Sequence, residues 1–263
     1  MTGLPEPPTP RCPYFYKYAG NVDWLEPIIV NSEIYIPTVA ELNDPRDARP
    51  VLTNLSIERV ADFLKLEFRN EHPRCSIEEY SAVAVDIDEG LTSWGPEGLL
   101  NFATDRLHTF LDTRRVYCMS KRWDNLAMWA KYANDHRGYC VEFANDGGDT
   151  LFATARKVVY SGAITLDFTN IDHATPNWYF YKSAEWSNEE EIRIVCSRVF
   201  GRPTLRVFPG VLSRVILGEK MRRDDVVRVT RWATQRARPM SLVMAKFDRR
   251  RGQLLLNPLN NAL

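Results

Sequence analysis

The sequence predicts an α+β fold in a single domain, with helices mainly in the N-terminal half and a mixed, mainly antiparallel sheet mainly in the C-terminal half. Apolar residues recur at helical spacing before residue 114, whereas short β-branched and aromatic runs dominate after residue 115. The 263 residues contain no internal repeat, no low-complexity tract and no long linker, and 44% of them are hydrophobic. A chain of this length and composition can bury one sizeable core.

The first half of the chain is predicted to contain four helices, the first of them brief, after a short aromatic strand. Residues 1–13 are rich in proline and are expected to form a flexible start, so the domain spans residues 14–263. Ser56 is typical of a helix N-cap, and apolar residues follow it at helical spacing. The predicted elements are a strand at 14–18, a brief helix and a strand within 24–37, and helices at 56–68, 77–86 and 96–114.

The second half is predicted to be mainly β. The predicted strands are 115–120, 138–143, 151–160, 190–199, 204–208, 212–217 and 241–248, and the predicted helices are 124–136 and 223–236. The aromatic segment 176–188 fits either a strand or a helix. It is predicted either to cover the core or to form a surface on which a planar ring stacks.

The helix predicted at 124–136 is apolar over much of its circumference. Asp124 is expected to cap its start, and Gly138 is expected to turn the chain into the next strand. The predicted apolar stripes are Leu126, Trp129, Ala130 and Ala133, and beside them Met128 and Tyr132. We therefore predict that the helix lies across the sheet with Trp129 in the core.

Charge and cysteine content exclude several classes of protein. Net charge is zero, but residues 201–263 hold 14 Lys and Arg against 4 Asp and Glu. This basic quarter either packs against an acidic body or binds phosphate or nucleic acid. The five cysteines lack metal-ligand spacing, so no metal is expected. With no signal-peptide core and no long apolar run, we expect a cytoplasmic protein and no membrane partner.

Carboxylates and an arginine alternate near the start of the strand predicted at 190–199. If this strand begins early, Glu189, Glu191 and Arg193 share one face, while the isoleucines between them point into the core. Paired carboxylates can stabilise a cationic sugar and accept a proton, and an adjacent arginine keeps one of them ionised. The same pattern also describes an exposed strand face with a salt bridge.

Four ordered blocks make the chain similar to a bacterial family. The blocks are Tyr-Lys-Tyr at 16–18, Leu-Asn-Asp at 42–44, the segment 117–143, and a late element formed by Trp186, Glu189, Glu191 and Arg193. Over roughly residues 14–218 they resemble the family called domain of unknown function 2971, which occurs among phage-defence and toxin-like loci. Many members begin with a His-Tyr-Thr strand, and the layout resembles that of NAD-dependent ADP-ribosyltransferases, with their split sheet.

The resemblance implies a transferase that uses NAD as substrate, without a metal. Glu191 takes the catalytic position, where it stabilises the ribose cation and holds the 2′-hydroxyl, and Glu189 orients or deprotonates the acceptor. The implied NAD-binding residues are Lys17, Tyr18, Ser120, Tyr132 and Arg193. One aromatic residue among Trp129, Tyr132 and Trp178 is expected to wall the nicotinamide. Lys17 stands where many members have histidine, and its amine can donate to a ribose hydroxyl or a phosphate.

Two other functions stay open at this point. The resemblance favours a toxin-like or phage-defence enzyme that modifies a protein or nucleic-acid acceptor, with an antitoxin as a further partner. The first alternative is a non-catalytic sensor or interaction module. The basic quarter leaves nucleic-acid binding as a second alternative. A nucleophilic role for Cys118 is disfavoured because its apolar flanks are expected to raise the pKa of the thiol.

Overall fold

An eight-stranded mixed sheet organises the part of the chain that the structure describes. This computed structural model describes residues 6–162, 164–167, 177–196, 203–236, 238 and 240–259. The strands are β1 Tyr14–Ala19, β2 Glu33–Tyr35, β3 Val51–Thr53, β4 Arg115–Ser120, β5 Tyr139–Ala144, β6 Arg156–Lys157, β7 Val159–Ser161, β8 Thr165–Asp167, β9 Tyr181–Ser183, β10 Glu191–Cys196, β11 Thr204–Arg206, β12 Leu212–Gly218, β13 Ser241–Asp248 and β14 Gln253–Pro258. The α-helices are α1 Ile57–Glu71, α2 Ile77–Thr92, α3 Pro96–Leu111, α4 Leu126–Lys131, α5 Thr150–Ala153 and α6 Arg223–Thr234.

The large sheet has the strand order β14-β13-β12-β5-β1-β4-β10-β6. Its neighbouring strands run antiparallel except β12 and β13, which are parallel and are connected through α6. Parallel neighbours need such a crossover, whereas antiparallel ones can be joined by a tight turn. Helices α1, α2 and α3 all precede β4, so the predicted α+β class and the division between the two halves are confirmed.

The sheet opens between β1 and β4. Strand β1 pairs with β5 along its whole length, and β4 does the same with β10, but β1 and β4 are paired only at Tyr16 and Ser120. Beyond that pair, the free edge of β4 turns to another segment, since the Val116 N–H donates to the Pro37 carbonyl at 2.8 Å. We call the gap between residues 17–20 and 116–119 the sheet split.

Side chains on the two faces of the sheet enter different cores. One face carries Phe15, Tyr117, Ile192 and Ile194 into a core that also holds Trp232 of α6. The opposite face packs against helices α1 and α3 through Val116, and against α4 through Tyr16 and Tyr18. Alternation along β4 and β10 therefore sends polar residues of these strands toward the helical side of the sheet.

Ion pairs join the basic last quarter to the acidic body. Arg228 pairs with Asp23 at 2.5 Å, and Lys220 pairs with Asp135 at 3.2 Å. Arg214 lies 3.6 Å from the buried carboxylate of Glu142. These contacts agree with the first of the two interpretations of the charge asymmetry.

The helix predicted at 124–136 is shorter than expected. Asn125, not Asp124, caps α4, because its side chain accepts the N–H groups of residues 127 and 128. Asp124 pairs instead with Arg122 at 2.9 Å. Left-handed backbone at residues 134–136 ends the turn after α4, and Gly138 follows with its N–H donating to the Ala133 carbonyl. The predicted cap is therefore wrong, and the helix ends at Lys131 rather than at residue 136, but Gly138 directly precedes β5, as predicted.

The buried face of α4 lies between the two predicted stripes. From one stripe it includes Trp129, which Ala133 follows in the turn after α4, and from the other it includes Met128, which the half-buried Tyr132 follows in that turn. Leu126 is 43% exposed, and Ala130 is exposed as well, so the prediction that these two residues enter the core is wrong. The predicted burial of Trp129 is confirmed.

Residues 151–160 do not form the single predicted strand. The Asp149 side chain accepts the Leu151 N–H at 2.8 Å and starts the short helix α5, because an aspartate cap satisfies an otherwise free N–H group. The chain then forms β6 and β7, which pair with β10 and β9. The edge strand β14, with three consecutive leucines, was not predicted.

Some predicted segments lie partly outside the described residues: 1–5 of the N-terminal stretch, 176 of the aromatic segment, 197–199 of the strand at 190–199, and 260–263. In the described remainder of the N-terminal stretch, the Pro8 carbonyl accepts the Lys157 N–H at 2.8 Å. None of the helices within the described ranges is long and apolar enough to cross a membrane.

Candidate functional site

A cavity of about 650 Å³ lies at the sheet split. It is lined by backbone and side chains from β1 and β4 on either side of the gap, and by residues of the loop after β2. Of the residues implied by the family resemblance, those lining the cavity are Lys17, Tyr18, Ser120, Tyr132, Glu189 and Glu191. Arg193 does not line the cavity, but it lies directly behind Glu191 and is fully buried.

The two glutamates reach the cavity from different elements. Strand β10 begins at Glu191, so Glu189 belongs instead to the 3₁₀-helix Ala184–Glu189, and the predicted continuous strand face is wrong. Between them, Glu190 adopts a left-handed conformation, with φ 44° and ψ 51°. Ser120 fixes this turn, because its hydroxyl donates to the Glu189 carbonyl at 2.8 Å. The turn brings the carboxylates of Glu189 and Glu191 to the same amine, that of Lys182.

Five buried ionisable residues form a cluster at the floor of the cavity, which we call the charge cluster: Asp47, Lys182, Glu189, Glu191 and Arg193. Lys182 donates to Glu189 at 2.7 Å and to Glu191 at 3.1 Å, and its Nζ atom lies 3.3 Å from Asp47 Oδ2. Lys182 therefore holds three carboxylates together.

Arg193 binds the charge cluster from behind. Its Nε and Nη2 atoms donate to the two oxygens of Glu191 at 2.8 and 3.0 Å, and Nη2 also donates to Asp47 Oδ2 at 2.6 Å. Its Nη1 atom donates to the Tyr179 carbonyl at 2.7 Å. Such bidentate, charge-assisted contacts fix the direction of a carboxylate. The orientation of Glu191 is thus set by Arg193.

By formal charge, the charge cluster holds three carboxylates against two cations, which leaves one excess negative charge. Burial alone would raise the pKa of Glu191, but Arg193 and Lys182 outweigh burial and lower it. Burial alone would lower the pKa of Lys182, but Glu191 and Asp47 raise it. Glu191 is therefore ionised and Lys182 protonated at neutral pH, so Lys182 is neither a base nor a nucleophile there.

Tyr132 extends the charge cluster to the mouth of the cavity. Its hydroxyl donates to Glu189 Oε1 at 2.6 Å and accepts from the Asn43 side chain at 3.3 Å. Burial and the hydrogen bond to Glu189 raise the pKa of Tyr132, so the phenol stays neutral. Lys131, which is partly exposed, lies 3.3 Å from the same oxygen of Glu189. Neither of the other proposed nicotinamide-wall residues, Trp129 and Trp178, lines the cavity.

Lys17 and Tyr18 lie on the β1 side of the split. The Lys17 amine donates to the Cys118 carbonyl at 2.9 Å, across the gap where the two strands are not paired. It keeps two further N–H donors. The Tyr18 hydroxyl donates to the Arg122 carbonyl at 2.8 Å, and Tyr18 lines the cavity while its ring meets that of Trp129 edge-on. Burial, and then the charge of Glu191, raise the pKa of Cys118, so this thiol is unreactive, as the sequence predicted.

Sequence reasoning missed Asp47, Lys182 and Asn43. Asn43 belongs to the Leu-Asn-Asp block, and Asp47 follows it in the same loop, but nothing in the pattern indicates that the loop reaches the carboxylates. Lys182 directly follows four consecutive aromatic residues, 178–181, and this is the one signal that indicated a buried amine.

No protein-family model, curated protein or solved structure matches this chain. The family resemblance therefore stays a prediction, and function has to be inferred from the chemistry of the cavity. Within the described ranges, no three His, Cys, Asp or Glu residues are arranged to hold a metal ion.

The charge cluster is expected to make the fold sensitive to acid. Because the folded-state pKa of Glu191 lies below its ordinary value of 4.5, its contribution is complete above that value and is lost as the pH falls through the folded-state pKa. We expect the free energy of unfolding to decline below about pH 5, and to decline less steeply in Glu191→Gln. Denaturant titrations at several pH values measure both slopes, and equal slopes would contradict the prediction.

Proposed function

We propose that this chain binds NAD in the cavity at the sheet split and cleaves the N-glycosidic bond to nicotinamide. One observation carries the proposal: the residues implied for NAD binding and catalysis are far apart in sequence, yet Lys17, Ser120 and Glu191 line one cavity. For one ligand to meet all three residues, their strands have to be neighbours. Strands β1, β4 and β10 are adjacent in the sheet, which supports the proposal.

The charge of the cavity floor suits this reaction. When the bond between C1′ and the nicotinamide nitrogen breaks, its electron pair leaves with the ring, and positive charge moves onto the ribose. The excess negative charge of the charge cluster would stabilise that positive charge. Glu191 is held in place by Arg193 and Lys182, so little reorganisation is needed as charge develops. A fixed carboxylate at this position is what the proposed transition state requires.

The remaining residues have complementary roles in the proposal. Water or another acceptor attacks C1′ and transfers its proton to Glu189, whose carboxylate Tyr132 orients through its hydroxyl. The Lys17 amine, which makes one hydrogen bond among the described residues, binds a ribose hydroxyl or a phosphate through its further N–H donors. Tyr18 and Tyr132 present aromatic rings beside the nicotinamide. The acceptor, whether protein or nucleic acid, and an antitoxin partner belong to the same proposal.

Glu191→Gln is expected to lower nicotinamide release from NAD by about 10²–10³-fold, the usual effect of removing one preorganised electrostatic group. The variant should fold, because removing this carboxylate leaves two carboxylates against two cations. Release of nicotinamide from purified protein, with and without cell lysate, measures the rate. Glu190→Gln is the matched control, since Glu190 does not line the cavity and pairs with Lys121 and Arg122. Full activity in Glu191→Gln would overturn the assignment.

A non-catalytic sensor or interaction module is the second candidate, and one observation favours it. Both oxygens of Glu191 already accept hydrogen bonds from Arg193, and Lys182 binds one of them as well. A carboxylate with all these hydrogen bonds can have a purely structural role. Measuring NAD binding beside nicotinamide release distinguishes the enzyme from this candidate. NAD binding without nicotinamide release indicates a sensor, and the absence of both indicates an interaction module.

A further inference from the structure

Asp47 is a buried carboxylate with only one of its oxygens satisfied. It lies in the loop between β2 and β3, its side chain is 2% exposed, and it lines the cavity. Oδ2 accepts from Arg193 at 2.6 Å and lies 3.3 Å from Lys182. Oδ1 is buried and has no hydrogen-bond partner among the described residues. The two oxygens of one side chain therefore differ completely in their contacts.

An unpaired carboxylate oxygen away from water costs free energy, so buried oxygens of this kind nearly always have a donor. Both nearby cations are engaged with Oδ2 and with the glutamates, and the charge cluster already carries one excess negative charge. What distinguishes Asp47 from other residues with such a carboxylate oxygen is that it lines the cavity, where a bound ligand could bring the missing donor. The Lys17 amine and the aromatic rings that line the same cavity suit a nucleoside, whose ribose carries two neighbouring hydroxyl groups.

We propose that Asp47 is a ligand-binding residue whose Oδ1 atom accepts a hydrogen bond from a ribose hydroxyl in the cavity. This inference rests on the proposed function for the choice of a ribosyl ligand. It adds a residue outside the set that the family resemblance implies, and a role in ligand selection: a ligand without that hydroxyl leaves Oδ1 unpaired and binds more weakly.

The loop offers a matched control in Asp44. Asp44 is 5% exposed, and its Oδ2 atom likewise has no partner among the described residues, but Asp44 does not line the cavity. Asp44→Asn and Asp47→Asn therefore make the same chemical change in the same loop. Asp47→Asn should fold, because it leaves two carboxylates against two cations in the charge cluster, and its amide oxygen can still accept from Arg193.

The test measures binding of NAD, nicotinamide riboside and adenosine by calorimetry, together with thermal unfolding. Asp47→Asn should weaken binding of the ribosyl ligands about tenfold to a hundredfold, the effect of one hydrogen bond to a charged group. Its melting temperature should stay near that of the wild type. Asp44→Asn should bind as the wild type does. Equal affinities for Asp47→Asn and the wild type would overturn the inference while leaving the proposed function standing.

A second measurement uses only the wild-type protein and stays informative if Asp47→Asn does not fold. The 2′-deoxy or the 3′-deoxy analogue of nicotinamide riboside should bind about tenfold to a hundredfold more weakly than the parent. Equal binding of all three would overturn the inference. If the wild type binds adenosine through Asp47 but binds no NAD, the proposed function fails and Asp47 stands. Binding of none of these probes would overturn both.

Discussion

Arg193→Met is expected to destabilise the folded chain by about 3–5 kcal/mol, the cost of removing one partner from a buried ion pair. Arg193 is fully buried and contacts two carboxylates and a backbone carbonyl. Without it, the three carboxylates keep only Lys182 within the charge cluster and the partly exposed Lys131 at Glu189, so buried negative charge stays uncompensated. Since domains are stable by only about 5–15 kcal/mol, most of the protein should be insoluble or readily proteolysed.

Chemical denaturation and soluble yield measure this loss. Arg231→Met is the matched control, because Arg231 is exposed on α6 and surface substitutions usually change stability by less than about 0.5 kcal/mol. Adding Glu191→Gln to Arg193→Met returns the charge cluster to one excess carboxylate, so the double variant should be more stable than Arg193→Met. A double variant less stable than Arg193→Met would show that net buried charge does not dominate here.

Short apolar strands with clear boundaries were predicted best. Both ends of β4 and of β13 agree with the structure, because each strand is a short, mainly apolar run bounded by charged or turn-forming residues. The segment after β5 was predicted wrongly because a local hydrogen bond overrode its strand-like composition. There, the Asp149 side chain satisfies a backbone N–H and starts a helix before any strand can form.

Only the part of the candidate site that depends on local sequence pattern was predictable. The alternation in β10 indicated that Glu191 and Arg193 share a face, and the contact between them agrees with that. Asp47 reaches them from a loop 146 residues before Arg193, and Lys182 reaches them from the short strand β9, seven residues before Glu189. Charge balance inside a core is a tertiary property, so no spacing rule identifies the residues that supply it.

The sheet split illustrates the same limit. Strands β1 and β4 have ordinary strand sequences, and nothing in either one marks where their pairing ends. The gap arises because residues 36–38 occupy the edge of β4 and the Lys17 amine binds a carbonyl across the opening. Pairing partners are chosen by the whole fold, so a cavity formed by missing pairs has no local signature.

Trp129→Ala is expected to cost about 3–5 kcal/mol, the usual range for a buried aromatic residue replaced by alanine. Trp129 is 0% exposed, its indole N–H donates to the Trp123 carbonyl at 2.7 Å, and its ring meets that of Tyr18 edge-on at 5.4 Å. It also stacks on His136, with ring centroids 5.9 Å apart. Truncation would leave a cavity and loosen the residues beside the sheet split.

Trp24→Ala is expected to give the opposite result to Trp129→Ala, with weaker ligand binding and an intact fold. Trp24 is 64% exposed but lines the cavity, so its removal should leave the melting temperature nearly unchanged and weaken ligand binding. Trp129 does not line the cavity, so its truncation should lower the melting temperature first and affect binding only through loss of fold. Thermal unfolding and NAD binding, measured on both variants, separate the two roles. A Trp129→Ala protein with an unchanged melting temperature and lost ligand binding would assign Trp129 to the binding site, because only a residue that contacts ligand gives that result.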